Sequence, residues 1–139
     1  MHRSGTSLVT NCFQLFGYEL GQTLMEPNED NPKGFFEDLD VVRINDELLI
    51  ENGSSWDAPI FLEQKSLSWP QYQMDAALEI IEGKLDRFPR LAIKDPRTCL
   101  LLPFWREVAE RLGVSLKLCL VYRNPLDIAA SIERRNGLP

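Results

Sequence analysis

An α/β domain, with a parallel sheet flanked by helices, is the fold class this sequence predicts. Three observations lead there. Two apolar runs, Leu91-Ala92-Ile93 and Leu116 to Tyr122, have the composition of short buried strands. Helical periodicity separates them, and strands joined through helices pair in parallel. Both runs end in polar, charge-bearing segments, Lys94-Asp95-Pro96-Arg97 and Arg123-Asn124-Pro125, and ligands of parallel α/β sheets bind beyond the carboxyl ends of the strands.

The elements follow in chain order. Residues 7–20 carry Val9, Phe13, Phe16 and Leu20 at helical spacing, with Leu8, Cys12 and Leu15 beside them, so this helix is expected to be buried on most sides, with Gly21 as its cap. Pro27, Asn28, Asn31, Pro32 and Gly34 make residues 22–36 a loop. Residues 38–51 return to helical spacing through Val41, Ile44 and Leu48, and residues 52–69 read as mostly irregular. The clearest helix places Met74, Leu78, Ile81, Leu85 and Phe88 on one face and Asp75, Glu79, Glu82 and Asp86 on the other, and Pro89 ends it. A further helix spans 99–112 through Leu101, Trp105, Val108 and Leu112, stopped by Gly113. Asn124 then caps a helix that has Pro125 at its first position and runs to about Arg134.

Composition limits the function classes. The 139 residues include 15 Lys+Arg against 21 Asp+Glu, a formal charge of −6. That balance argues against a nucleic-acid partner, which needs a concentrated basic face. A hydrophobic fraction of 44% fits one globular domain, residues 1–139. No apolar run approaches the ~20 residues of a membrane span, and the N-terminus lacks the apolar region of a secretory signal. Cys12, Cys99 and Cys119 are odd in number and form no C-x-x-C pair, so they read as buried free thiols of a reducing, cytoplasmic compartment. His2 is the sole histidine, which disfavours a zinc site or a Ser-His-Asp triad.

Three constellations carry chemistry. His2-Arg3-Ser4-Gly5-Thr6-Ser7 opens a helix whose first N–H groups are unpaired and whose dipole favours an anion. Gly5 permits close backbone approach; Arg3, Ser4, Thr6 and Ser7 add a cation and hydroxyl donors. The segment reads equally as a simple capped helix. Arg123 ends the second strand, with Ser131 about two turns into the next helix; it is either a phosphate fork or a surface arginine paired with Asp127. Lys94, Asp95 and Arg97 end the first strand, as a ligand site or as a loop salt bridge. All three are expected at one edge of the sheet.

Together these residues resemble the family of sulfotransferases that use 3′-phosphoadenosine 5′-phosphosulfate. The loop His2 to Ser7 is similar to the family's 5′-phosphosulfate loop, and Arg123 with Ser131 to its 3′-phosphate motif. Arg90 to Lys94 and Leu100-Leu101-Leu102-Pro103 resemble the segments between, and Asn28 to Glu37 resembles bacterial members. The resemblance implies a P-loop-like sulfotransferase fold. It implies that Arg3, Ser4, Gly5, Thr6 and Ser7 hold the phosphosulfate, that Arg123 and Ser131 hold the 3′-phosphate, and that Lys94 contacts the transferring sulfuryl group. Arg3 and Lys94 thereby join the catalytic set. The resemblance further implies a small-molecule or glycan acceptor offering a hydroxyl or amine, and no requirement for a metal.

Pro96 stands where cytosolic members carry a catalytic histidine, so the resemblance gives the role of base to a carboxylate: Glu37 first, then Glu29 and Asp95. Glu37 reads equally as an N-terminal helix carboxylate. Family members are longer, with a strand before the phosphosulfate loop. A partial domain with an open sheet edge is therefore expected, with weak nucleotide binding and little or no turnover. Two other classes compete. A P-loop kinase would need the Walker lysine, and Thr6 stands in its place. A non-catalytic remnant or interaction module would bind no nucleotide. Phe35, Phe36, Trp56 and Trp69 are assigned to core or loop packing rather than to an acceptor pocket.

Overall fold

In the computed structural model, residues 4–28, 31–57 and 67–136 are described. Among the described residues five α-helices follow one another: α1 Thr6–Leu15, α2 Leu39–Glu51, α3 Gln71–Leu85, α4 Leu102–Arg111 and α5 Pro125–Asn136, with a 3₁₀ turn at Pro96–Cys99. None of these helices is long and apolar enough to cross a membrane.

The core is helical. Val41, Ile44, Leu48 and Leu49 of α2 meet Met74, Ala77 and Ile81 of α3 and Phe104, Trp105 and Val108 of α4, with Leu101 between them. Leu48, Leu49, Met74, Ala77 and Phe104 are fully buried. Trp69 and Trp105 both meet the Phe104 ring edge-on, at 5.5 and 5.2 Å between centroids. Asp38 starts α2 as its N-cap, accepting from the Asp40 and Val41 amides at 3.1 and 3.4 Å. Asn124 caps α5 as expected, its Oδ1 accepting from the Leu126 amide at 3.0 Å ahead of the helix begun by Pro125.

The parallel sheet, and the α/β and P-loop-like scaffold with it, is not formed among the described residues. Only isolated bridges occur there, at Glu19 with Leu91, Leu24 with Asp38 and Asn28 with Asn31. Leu91 does pair in parallel, but for a single residue: the Glu19 amide donates to Arg90 O at 2.9 Å and the Ala92 amide to Glu19 O at 2.8 Å. The Leu116 to Tyr122 run has no ladder and lies open, with Leu118 65%, Leu120 83% and Tyr122 83% exposed. An apolar run becomes a strand only where a neighbour supplies matching N–H and C=O groups. Here α2, α3 and α4 bury one another's apolar faces instead.

Three smaller expectations are also corrected. The first helix ends at Leu15, because Gly17 takes a left-handed φ of 76° and closes it one turn earlier than Gly21 would. It is not wrapped in core: Thr10 is its one buried residue, and Leu8 and Leu15 are exposed. The 99–112 helix begins only at Leu102: Cys99 closes a 3₁₀ turn capped by Asp95, and Pro103 sits in the first turn of α4. Cys12, Cys99 and Cys119 are free, but all three are exposed rather than buried.

Candidate functional site

The loop from Asn31 to Glu37 delivers the central carboxylate. The Asn31 side chain donates to Gly34 O at 2.5 Å, and the Gly34 amide returns to Asn31 O at 3.0 Å. Gly34 has φ 96° and Phe36 φ 57°. Left-handed backbone is ordinary for glycine and unfavourable for phenylalanine. The turn drops Glu37 into the interior, 5% exposed, while the next residue becomes the cap of α2.

Glu37 Oε1 is paired there with Lys94 Nζ, which also donates to Phe35 O at 3.1 Å. Ser7, in the first turn of α1, donates to the same carbonyl at 3.5 Å. Ser7, Phe35, Glu37 and Lys94 therefore converge from three separate stretches of chain. Glu37 Oε2 lies 3.7 Å from Arg97 Nη1.

A second layer fixes Arg97. Its Nη1 reaches Asp95 Oδ1 and Oδ2, each at 2.9 Å, and its Nε lies 2.7 Å from Asp46 Oδ1 as an ion pair without hydrogen-bond alignment. Asp95 also accepts from the Arg97 amide at 2.8 Å and from Asn45 Nδ2 at 3.0 Å. Asn45 in turn accepts from Trp105 Nε1 at 2.8 Å. A polar chain thus runs from the helical core to Glu37. The links from Trp105 to Arg97 are charge-assisted or buried hydrogen bonds, the setting in which they fix geometry most firmly, and the last, from Arg97 to Glu37, is a longer ion pair.

The expected site residues that the structure describes fall into three groups. Ser7, Glu37 and Lys94 meet. Ser4, Gly5 and Thr6 lead into α1 beside them: Gly5 has φ 90°, and Ser4 Oγ is buried with no hydrogen-bond partner among the described residues. A Cβ at Gly5 would meet nothing within 4 Å, so the glycine serves the backbone angle and not a close approach. Arg123 and Ser131 belong to the α5 region, the arginine exposed ahead of the helix and the serine buried within it. Arg3 and Glu29 lie outside the described residues.

The N-cap of α2 is Asp38, and Glu37 stands one residue before it, beside the N-terminus of that helix. Asp95 is enclosed by Arg97, Asn45 and its own turn. No sheet edge gathers the residues; the 34–37 turn does. Asn45, Asp46, Phe36 and Trp105 were not singled out as site residues. The one visible signal was Asn45, a polar residue beside Ile44 on the apolar face of α2.

No protein-family model, curated protein or solved structure matches this chain. The functional reading therefore rests on its own residues.

Proposed function

We propose that the chain is a sulfotransferase domain that takes a sulfuryl group from 3′-phosphoadenosine 5′-phosphosulfate to the hydroxyl or amine of a small molecule or glycan. The observation that carries the reading is the meeting of Lys94, Glu37 and Ser7, residues far apart in sequence, next to the N-terminus of α1. A helix N-terminus with hydroxyl side chains suits an oxyanion. A cation beside it suits the charge that develops on a transferring sulfuryl group.

In this reading Arg3, Ser4, Gly5, Thr6 and Ser7 receive the phosphosulfate, and Arg123 with Ser131 the 3′-phosphate. Lys94 contacts the sulfuryl oxygens. Glu37 accepts the proton of the attacking hydroxyl as the new S–O bond forms. The bond from sulfur to the bridging oxygen breaks, and adenosine 3′,5′-bisphosphate leaves. Positioning and charge stabilisation carry such a transfer. The free thiols fit a cytoplasmic setting.

Calorimetric titration with adenosine 3′,5′-bisphosphate, against AMP, tests the reading. Loss of the 3′-phosphate contacts is expected to weaken binding by roughly tenfold or more, since a charge-assisted contact contributes about 1.5–3 kcal/mol. Equal affinities, a preference for magnesium–ATP, or no binding by a folded chain would overturn it.

A further inference from the structure

We infer that Glu37 is the resident counter-anion of Lys94, and that a tetrahedral oxyanion reaches this lysine only by displacing it. The inference rests on the reading of Lys94 as an anion contact. It adds that the chain holds this contact shut until a ligand arrives.

Four observations support it. First, the pair is nearly closed to solvent, with the side chains of Lys94 and Glu37 11% and 7% exposed. Second, Glu37, Asp95 and Asp46 set three carboxylates against the two cations Lys94 and Arg97. The cluster carries one formal negative charge in excess, and a further anion is repelled while Glu37 stays in place. Third, the two cations are not equally committed. Arg97 is gripped by both oxygens of Asp95 at 2.9 Å and by Asp46 at 2.7 Å, whereas Lys94 has Glu37 and one backbone carbonyl. Exchange of one carboxylate therefore releases Lys94 and leaves Arg97 anchored. Fourth, the residue before Glu37 is Phe36, held at φ 57°. Such a backbone persists where its surroundings enforce it. Withdrawal of Glu37 lets Phe36 return to an ordinary conformation, which lowers the cost of opening.

The test uses inorganic sulfate as the probe and the 139-residue chain throughout. Calorimetry compares the wild-type chain with Glu37→Gln, each shown folded by circular dichroism. Removing a full charge at contact distance is expected to tighten sulfate binding by roughly tenfold or more. Lys94→Met in the Glu37→Gln background is expected to abolish that gain. If Glu37→Gln does not fold, Glu37→Asp serves instead: its shorter side chain draws the carboxylate back from Lys94, and an intermediate tightening is expected. Unchanged or weaker sulfate binding in a folded variant overturns the inference, as does a gain that survives loss of Lys94.

Sulfate carries no nucleotide, so the two readings fail separately. A chain that shows the sulfate effect without preferring the bisphosphate to AMP discards the nucleotide and keeps the counter-anion. The reverse outcome discards the counter-anion alone.

Discussion

Glu37 is paired with Lys94 and Asp38 with Lys84, two buried ion pairs whose carboxylates are neighbours in the chain. Their surroundings differ. Lys84 Nζ lies 3.0 Å from Asp38 and 2.9 Å from Asp40, and Asp38 also caps α2, so this pair pins the start of α2 to the end of α3. Burial works to lower the Lys84 pKa, but the hydrogen bonds it donates to Asp40 and Asp38, with the charges of those carboxylates, outweigh it and hold the ammonium above its ordinary value. The Glu37 pair caps nothing. It follows a left-handed phenylalanine and faces the N-terminus of a helix that is mostly exposed. The same two functional groups thus make a structural pin in one place and an exchangeable contact in the other. What separates them is how many other partners each carboxylate serves.

The largest effect on stability is expected at the pin. Lys84→Met leaves Asp38 buried without its cation and should cost about 3–5 kcal/mol in urea unfolding. The pH dependence has a fixed sign. Because the folded pKa is raised, the contribution of Lys84 is complete below the ordinary lysine value of 10.5 and is lost as pH climbs through the folded value. The difference in unfolding free energy between wild type and Lys84→Met should hold steady at neutral pH and shrink only in strong alkali.

Gly21→Ala probes the same pin from outside. Gly21 has φ 132°, and a Cβ there would lie 1.9 Å from Asp38 Oδ2, so alanine must displace the capping carboxylate. A loss of roughly 2–3 kcal/mol is expected, between a lost cap and a broken buried pair. The turn before Glu37 is next. Phe36→Val places a β-branched residue at a left-handed position and should cost about 1–2 kcal/mol, measured by thermal unfolding. The smallest effect is expected far from both pairs. Leu120→Lys, on the open 116–122 segment, should stay within about 0.5 kcal/mol while raising the concentration at which the chain self-associates.

Helices were largely legible in the sequence and sheet pairing was not. The spacing of Val41, Ile44 and Leu48, the Met74 to Ile81 stripe and the Asn124-Pro125 signal each depend on neighbours within one helical segment, and all three helices formed. Leu116 to Tyr122 carries the composition of a buried strand, but pairing depends on a second segment that composition does not name. The candidate site was legible as residue types and not as partners. Glu37 and Lys94 were both singled out, yet nothing in their spacing shows that they neutralise each other. Asp95 reads as a free carboxylate in the sequence, and its bonds to Arg97 and Asn45 join segments that no local pattern connects. Cysteines among apolar neighbours suggest burial, but all three are exposed: Cys119 on the unpaired 116–122 run, Cys12 on the outer side of α1 and Cys99 at the end of the 3₁₀ turn.

The most direct measurement is the affinity for 3′-phosphoadenosine 5′-phosphosulfate of two single-lysine variants, Lys94→Met and Lys84→Met, each at a temperature where circular dichroism shows it folded. Lys94→Met is expected to weaken 3′-phosphoadenosine 5′-phosphosulfate binding roughly tenfold, the loss of one charge-assisted contact to the sulfuryl oxygens, with Lys84→Met within about twofold of wild type. Equal losses in the two variants, or a larger loss in Lys84→Met, would contradict the assignment of ligand contact to one pair and of structure to the other.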